Sequence, residues 1–249
     1  MNFSILTLFT GLFDGFLSSS ILARAIERGL ISVRLVDIRD YASDRHHVCD
    51  DAAYGGGPGM VMKPEPIAAA LEATGSAGER VVYLTPAGRP YTQRVAEELA
   101  REQRVTLLCG RYEGIDQRVI DAFVTDEYSA GDYVLSGGEV AAMVVVDSVA
   151  RLLEGVITKD SLEEESFSRG LLEYPHYTRP EVFRGMRVPE VLLSGHHEKI
   201  RQWRLLKSIE KTRKHRPELL ASGGLPPEAR ELLGQFGEQG DENGHDQGD

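Results

Sequence analysis

A strand–loop–helix alternation, repeated about five times through roughly the first 160 residues, constrains this chain more than any other feature. "FSILTLF" is followed by "GFLSSSILARAIERG", which carries apolar residues near helical spacing and ends on Gly29. "SVRLVDIRDY" leads through a loop to "PEPIAAALEATG", where Pro66 suits a first helical turn. "RVVYLTP" precedes "TQRVAEELARE", "RVTLLCG" precedes "GIDQRVIDAF", and "FVTDEYS" leads on to "EVAAMVVVDSVARLLEG". The expected fold class is therefore α/β, with a mostly parallel sheet covered on both faces.

Four loops carry glycine: "YGGGPGM" (Tyr54–Met60), "LTPAGRP" (Leu84–Pro90), "CGRYEGID" (Cys109–Asp116) and "AGDYVLSGGE" (Ala130–Glu139). A phosphate loop of the form GxxxxGK[ST] needs a lysine that none of them offers. A dinucleotide fingerprint needs GxGxxG after the first strand, and "TGLFDG" fails that pattern. The last three loops follow three successive expected strands, at the carboxyl ends where parallel sheets bind ligands. Their only cations are Arg89 and Arg111. Such walls suit a flat, uncharged group such as an adenine ring, held through backbone hydrogen bonds. One such loop alone reads as an ordinary tight turn; three together do not.

The rest of the chain reads differently. Residues 158–168 are polar and acidic and read as a linker. Beyond them, "HHEKIRQWRLLKSIEKTRKHRPELL" sets Ile200, Trp203, Leu206 and Ile209 on one helical stripe, with Arg201, Arg204, Lys207, Lys211 and Lys214 around it. A small helical second domain fits that pattern. The net charge of −11 hides an asymmetry: residues 169–220 hold 12 basic and 6 acidic side chains. A polyanionic partner and a solvated helical surface account for that block equally well. The tail, 238–249, has five acidic residues and no basic one, and is expected to be disordered. No apolar run reaches the ~18 residues of a membrane span. Two cysteines, Cys49 and Cys109, make no disulfide framework, so a reducing cytoplasm is expected. His46, His47 and Cys49 lack a second ligand pair, and the zinc reading is rejected. His196 and His197 follow Ser194 at an expected helix start, where capping is the plain explanation.

"YGGGPGMVMKPEP", "GRYEGIDQRV", "GDYVLSGGE", "LLEYPHYTRPEV" and "LLSGHHEKIRQWR" resemble, in order and spacing, the bacterial tRNA (guanine-N1)-methyltransferases of the TrmD family. The resemblance runs from the first strand to about Leu220. It implies a SPOUT fold, in which the chain forms a deep trefoil knot, a feature that general topology rules argue against. It also implies a domain plan: a knotted catalytic domain over 1–157, a linker over 158–168, and a basic helical tRNA-binding domain over 169–237.

The resemblance further implies S-adenosylmethionine as cofactor. Tyr83, Leu84 and Pro86 would line one wall. Gly110 and the run Ala130, Gly131, Asp132, Tyr133, Val134 and Leu135 would hold adenine and ribose largely through backbone, and Gly137 and Gly138 would permit close packing. From the residues alone, Val134 and Leu135 serve equally as core, and Asp132 as a turn cap.

Methylation at guanine N1 requires loss of that nitrogen's proton, which a positioned carboxylate can take. The charge then developing on the carbonyl oxygen needs a cation or another donor. Family members place an aspartate before an "SF" pair; this chain has "EEESF", so Glu165 occupies the position, one methylene longer. Glu163 or Glu164 would substitute if the linker were shifted, and a glutamate run is otherwise simply solvated charge. Arg151 matches the family's charge-stabilising arginine, and reads equally as a helix-end cation. Tyr54, Gly56, Gly57, Gly59 and Glu113 would contact the target guanine. His176 and Arg179 of "HYTRP", with Arg204 and Lys207 on the basic helix, would grip tRNA.

The expected activity is methyl transfer to the guanosine just 3′ of the anticodon (position 37) by a homodimer, aided by Mg²⁺. No dedicated metal cluster is visible, as expected for a hard cation bound through few carboxylates. A SPOUT enzyme for another RNA, and an RNA-binding module that keeps the knot as scaffold, are the competing readings.

Overall fold

The computed structural model describes residues 1–76, 78–158, 165–168, 170–221 and 225–233. The acidic tail at 238–249, and most of the linker with Glu163 and Glu164, lie outside the described residues. The chain divides into two compact units, Met1–Ile157 and Thr158–Asp249.

The first unit is an α/β layer structure. Five strands, β1 (Asn2–Thr7), β2 (Ser32–Asp37), β5 (Arg80–Pro90), β6 (Arg104–Cys109) and β7 (Asp126–Ser129), form one sheet in the order β2-β1-β6-β5-β7. All four pairings are parallel. A separate antiparallel pair joins β3 (Asp50–Ala52) to β4 (Met60–Met62). The helices are α1 (Asp14–Leu17), α2 (Ser20–Glu27), α3 (Pro64–Ala73), α4 (Gln93–Leu99), α5 (Gln117–Phe123) and α6 (Glu139–Ala150). Two cores explain why the strands read as continuous apolar runs. Val82, Leu84 and Leu107 pack with α2, α4 and α6 on one face; Val81, Tyr83 and Leu108 pack with α3 and α5 on the other. Leu107 is fully buried, and truncating it to alanine would cost about 2–5 kcal/mol.

Two local expectations need correction. The helix expected across "GFLSSSILARAIERG" is broken at Ser18 and Ser19, where the Ser18 hydroxyl donates to the Asp14 carbonyl at 2.6 Å and ends α1. Strand β5 extends past "RVVYLTP": Leu84 and Arg89 both pair with Tyr128, so residues 85–88 bulge out between them. Pro66 falls in the first turn of α3, which starts at Pro64, as expected.

The second unit holds a hairpin of β8 (Val182–Phe183) and β9 (Met186–Arg187), then α7 (Glu190–Leu193), α8 (His197–His215), α9 (Pro217–Ala221) and a helical stretch at 227–233. Its core gathers Leu171, Ile209, Leu225 and Ala229, with Leu205 packed against them. The buried face of α8 therefore runs through Leu205, Ile209 and Thr212 rather than along the expected stripe. Trp203 is half-buried, its ring 6.2 Å from that of Tyr177. Ser194 does not cap α8: its hydroxyl accepts from the His196 amide at 3.2 Å and donates to the Val191 carbonyl, closing a turn. Among the described residues, no helix is long and apolar enough to cross a membrane.

Candidate functional site

Strands β6, β5 and β7 lie side by side, so the loops at their carboxyl ends meet. Between them is a cavity of about 350 Å³. Eleven of the twelve expected cofactor residues line it: Tyr83, Leu84 and Pro86 from β5, Gly110 after β6, and Ala130, Gly131, Tyr133, Val134, Leu135, Gly137 and Gly138 after β7. Asp132 does not; it is exposed.

The cavity wall is largely backbone, already fixed by internal hydrogen bonds. Ser129 Oγ donates to the Gly131 carbonyl at 2.9 Å, and Tyr133 returns its hydroxyl to the Ala130 carbonyl at 3.1 Å. The Gly138 amide donates to the Gly110 carbonyl at 3.0 Å, tying two loops together. A Cβ at Gly138 would sit 2.8 Å from the Cys109 Cα, so only glycine permits that approach. Burial pushes the Tyr83 phenol up, keeping it a neutral hydroxyl at the cavity floor.

The two cations of these loops diverge. Arg89 turns away, 3.2 Å from Asp126 and stacked over the Tyr128 ring. Arg111 lines the cavity, but its charge is met by Glu139, the first residue of α6, at 3.0 Å. Glu139 is buried and also accepts from the Thr7 hydroxyl at 2.7 Å. The Arg111 guanidinium further donates to the Ser136 carbonyl at 3.1 Å and lies 4.4 Å from the Phe9 ring centroid. One side chain thus joins the end of β1, the loop after β6, and the entry to α6. Sequence reasoning missed this pair. In sequence Glu139 is indistinguishable from an ordinary acidic first-turn residue, and Thr7 lies 132 positions away.

At the rim, Glu113 lines the cavity and its side chain packs against Gly59, while its amide donates to the Met60 carbonyl at 3.0 Å. The "YGGGPG" loop therefore sits beside Glu113. Tyr54 is wholly exposed there, and Gly56 and Gly57 are exposed with it. Among the described residues, no group of three or more histidine, cysteine, aspartate or glutamate side chains comes together as a metal site.

The remaining expected residues fall outside this cavity. Arg151 is half-buried at the carboxyl end of α6, its amide bonded to the Asp147 carbonyl at 3.2 Å. Glu165 belongs to the second unit, where its carbonyl accepts from the Ser168 hydroxyl at 2.6 Å in a tight turn. It borders a second cavity, about 450 Å³, with Leu171, Tyr174, Ile200, Arg204 and Pro226 among its walls. Arg204 stacks on Tyr174 at 4.7 Å, and Lys207 is paired to Glu210 at 2.6 Å. His176 pairs with Glu173 at 2.7 Å, and Arg179 is exposed.

Comparison with known proteins adds a separate line of observation. The profile of the family described as tRNA (Guanine-1)-methyltransferase TrmD matches residues 1–222. The chain is similar to the tRNA (guanine-N(1)-)-methyltransferase of Pelotomaculum thermopropionicum, 58% identical over 94% of this chain and 95% of that protein. It is also similar to those of Caldicellulosiruptor saccharolyticus (56% identical, 94% and 96% covered) and Treponema denticola (53%, 95% and 99%).

Proposed function

The chain belongs to the tRNA (guanine-1)-methyltransferase family TrmD, and from that premise we propose that it methylates N1 of the guanosine 3′-adjacent to the anticodon, position 37, of tRNA. Membership implies S-adenosylmethionine as the methyl donor. The observation that carries the reading is the cavity between three glycine loops, with Arg111 neutralised by Glu139 and Glu113 at the rim. Its volume and backbone-rich wall, whose one cation is paired, fit an adenosine better than a polyphosphate.

When bound, the cofactor supplies an electrophilic methyl group; the chain's own residues prepare the acceptor. In this reading Glu165 takes the N1 proton, and Arg151 meets the charge that develops on the guanine carbonyl oxygen. Glu113 and the "YGGGPG" loop hold the guanine edge. His176, Arg179, Arg204 and Lys207 contact the tRNA, with residues 169–237 as its binding domain and 158–168 as the linker that presents Glu165. A base turned out of the anticodon loop is the form that such a pocket admits.

Two architectural features belong to the same proposal. A trefoil knot at the cavity rests on the family membership. The exposed apolar side chains Leu12, Val140 and Val144 support a homodimer, because such residues on helices usually cover one another. A magnesium ion would rely on Glu113 and substrate oxygens, since no carboxylate cluster forms among the described residues. A cytoplasmic location follows from the tRNA substrate.

The decisive experiment is incubation with labelled S-adenosylmethionine and a tRNA transcript, followed by mapping of the modified base. Label at N1 of the guanosine 3′ of the anticodon is expected. Label on another base, or none, overturns the assignment.

A further inference from the structure

The β8–β9 hairpin carries a contact surface that the cleft does not use. Val182 pairs with Arg187 and Phe183 with Met186, leaving Arg184 and Gly185 as a two-residue turn. Both turn residues have positive φ, 49° and 80°. Turns of that type favour Asn-Gly or Gly-Gly, because a side-chain-bearing residue is strained in the left-handed region. An arginine there sacrifices stability, and such strain concentrates where a side chain has work outside the fold.

The surroundings of Arg184 indicate that work. Its guanidinium lies 5.3 Å from the Phe183 ring centroid, and Phe183 is 56% exposed. Met186, directly opposite on the same face, is 64% exposed. The neighbouring Arg187 is paired with Glu181 at 3.5 Å, whereas Arg184 has no ion pair among the described residues. The tip thus presents an aromatic ring, a stacked guanidinium and an uncompensated positive charge on a short, rigid turn. An apolar partner would use the ring and the methionine but not the charge. Single-stranded RNA uses all three, stacking a base on the ring and setting a phosphate against the guanidinium. The cationic excess of residues 169–220 favours the same partner.

We propose that the hairpin tip is a tRNA contact in which Phe183 and Met186 receive an unstacked base and Arg184 holds the adjoining phosphate. It rests on the reading of the chain as a tRNA enzyme.

Arg184→Gly tests it cleanly, because glycine accepts the turn conformation and preserves the hairpin. The KM for tRNA should rise roughly tenfold while kcat and cofactor affinity stay unchanged, and the slope of log K against log salt should shrink by about 0.7–0.9. Melting temperature should hold or rise. Phe183→Leu should weaken tRNA binding about fivefold with the salt slope unchanged, since a stacking surface is lost but no charge. Wild-type tRNA affinity and salt slope in Arg184→Gly would overturn the proposal. A change of sedimentation in Phe183→Leu, with tRNA binding intact, would overturn it in favour of a self-association face. Failure of the wild-type protein itself to bind or methylate tRNA would instead remove the parent reading.

Discussion

The two units each enclose a cavity of similar size, about 350 Å³ in the first and 450 Å³ in the second, yet build them from opposite materials. The first is walled by loop backbone at the ends of parallel strands, held by a partly buried Arg111–Glu139 pair. The second is walled by long side chains from α8 together with Glu165, Leu171, Leu172 and Tyr174, with ion pairs such as Arg201–Glu228 open to water. A backbone wall has a shape that packing dictates; a side-chain wall has charges that rotate and exchange partners. The first suits selection of one small molecule; the proposed function gives the second a large polyanion that binds through many weak contacts.

The largest effect should come from the one residue of the second unit assigned to chemistry. Glu165→Gln keeps size and hydrogen bonding but cannot take a proton. Turnover should fall about 10²–10⁴-fold. Cofactor affinity, measured calorimetrically, should not change, because the proposed cofactor wall is made of first-unit residues. Retained turnover would move the base elsewhere; lost cofactor affinity would break the division of labour between the units.

Next comes the Arg111–Glu139 pair. Arg111→Met leaves the Glu139 carboxylate buried beside Thr7 without its cation. Removing one partner of such a pair costs about 3–5 kcal/mol, which urea denaturation of the first unit would report. A loss as small as that of an exposed pair would show that the two units are not so differently built.

Gly138→Ala probes the backbone wall directly. Its Cβ would meet the Cys109 backbone, so the loops must part. Overpacking of this kind costs about 1–3 kcal/mol, or roughly a 5- to 150-fold loss of cofactor affinity. Affinity for tRNA alone should stay within twofold of wild type.

How far these features could be read from the chain follows the same division. Strands such as "RVVYLTP" and "RVTLLCG" were legible because both faces of a parallel sheet are buried, which leaves uninterrupted apolar runs. The glycine loops were legible because backbone that approaches a ligand or a neighbouring strand excludes a Cβ. Glu139 was not, since nothing local distinguishes a buried carboxylate from a solvated one; its partners Thr7 and Arg111 are supplied by tertiary structure. The face of α8 was misjudged for a related reason. Helical period predicts a stripe, but Leu205 rather than Leu206 is turned inward by Leu171, Leu225 and Ala229, which arrive from other segments. Resemblance, not period, supplies the roles proposed for Glu165 and Arg151.

The smallest effect is expected at Lys207, and it tests the exchangeable half of the comparison most finely. In the free protein its ammonium is held by Glu210 at 2.6 Å, one helical turn along α8. Both side chains are partly exposed, so the pair itself contributes only about 0.3–0.5 kcal/mol. To meet a phosphate, Lys207 must first leave that carboxylate, and Glu210 is then left facing the polyanion. Lys207→Gln should therefore weaken tRNA binding only two- to threefold and lower the salt slope by less than the ~0.7–0.9 of an unencumbered phosphate contact. Glu210→Gln should do the reverse, raising affinity slightly, because it frees the lysine and removes a repelling charge. A full-contact drop in slope for Lys207→Gln would mean that Glu210 yields completely on binding, and that α8 grips through charges this ion pair does not restrain.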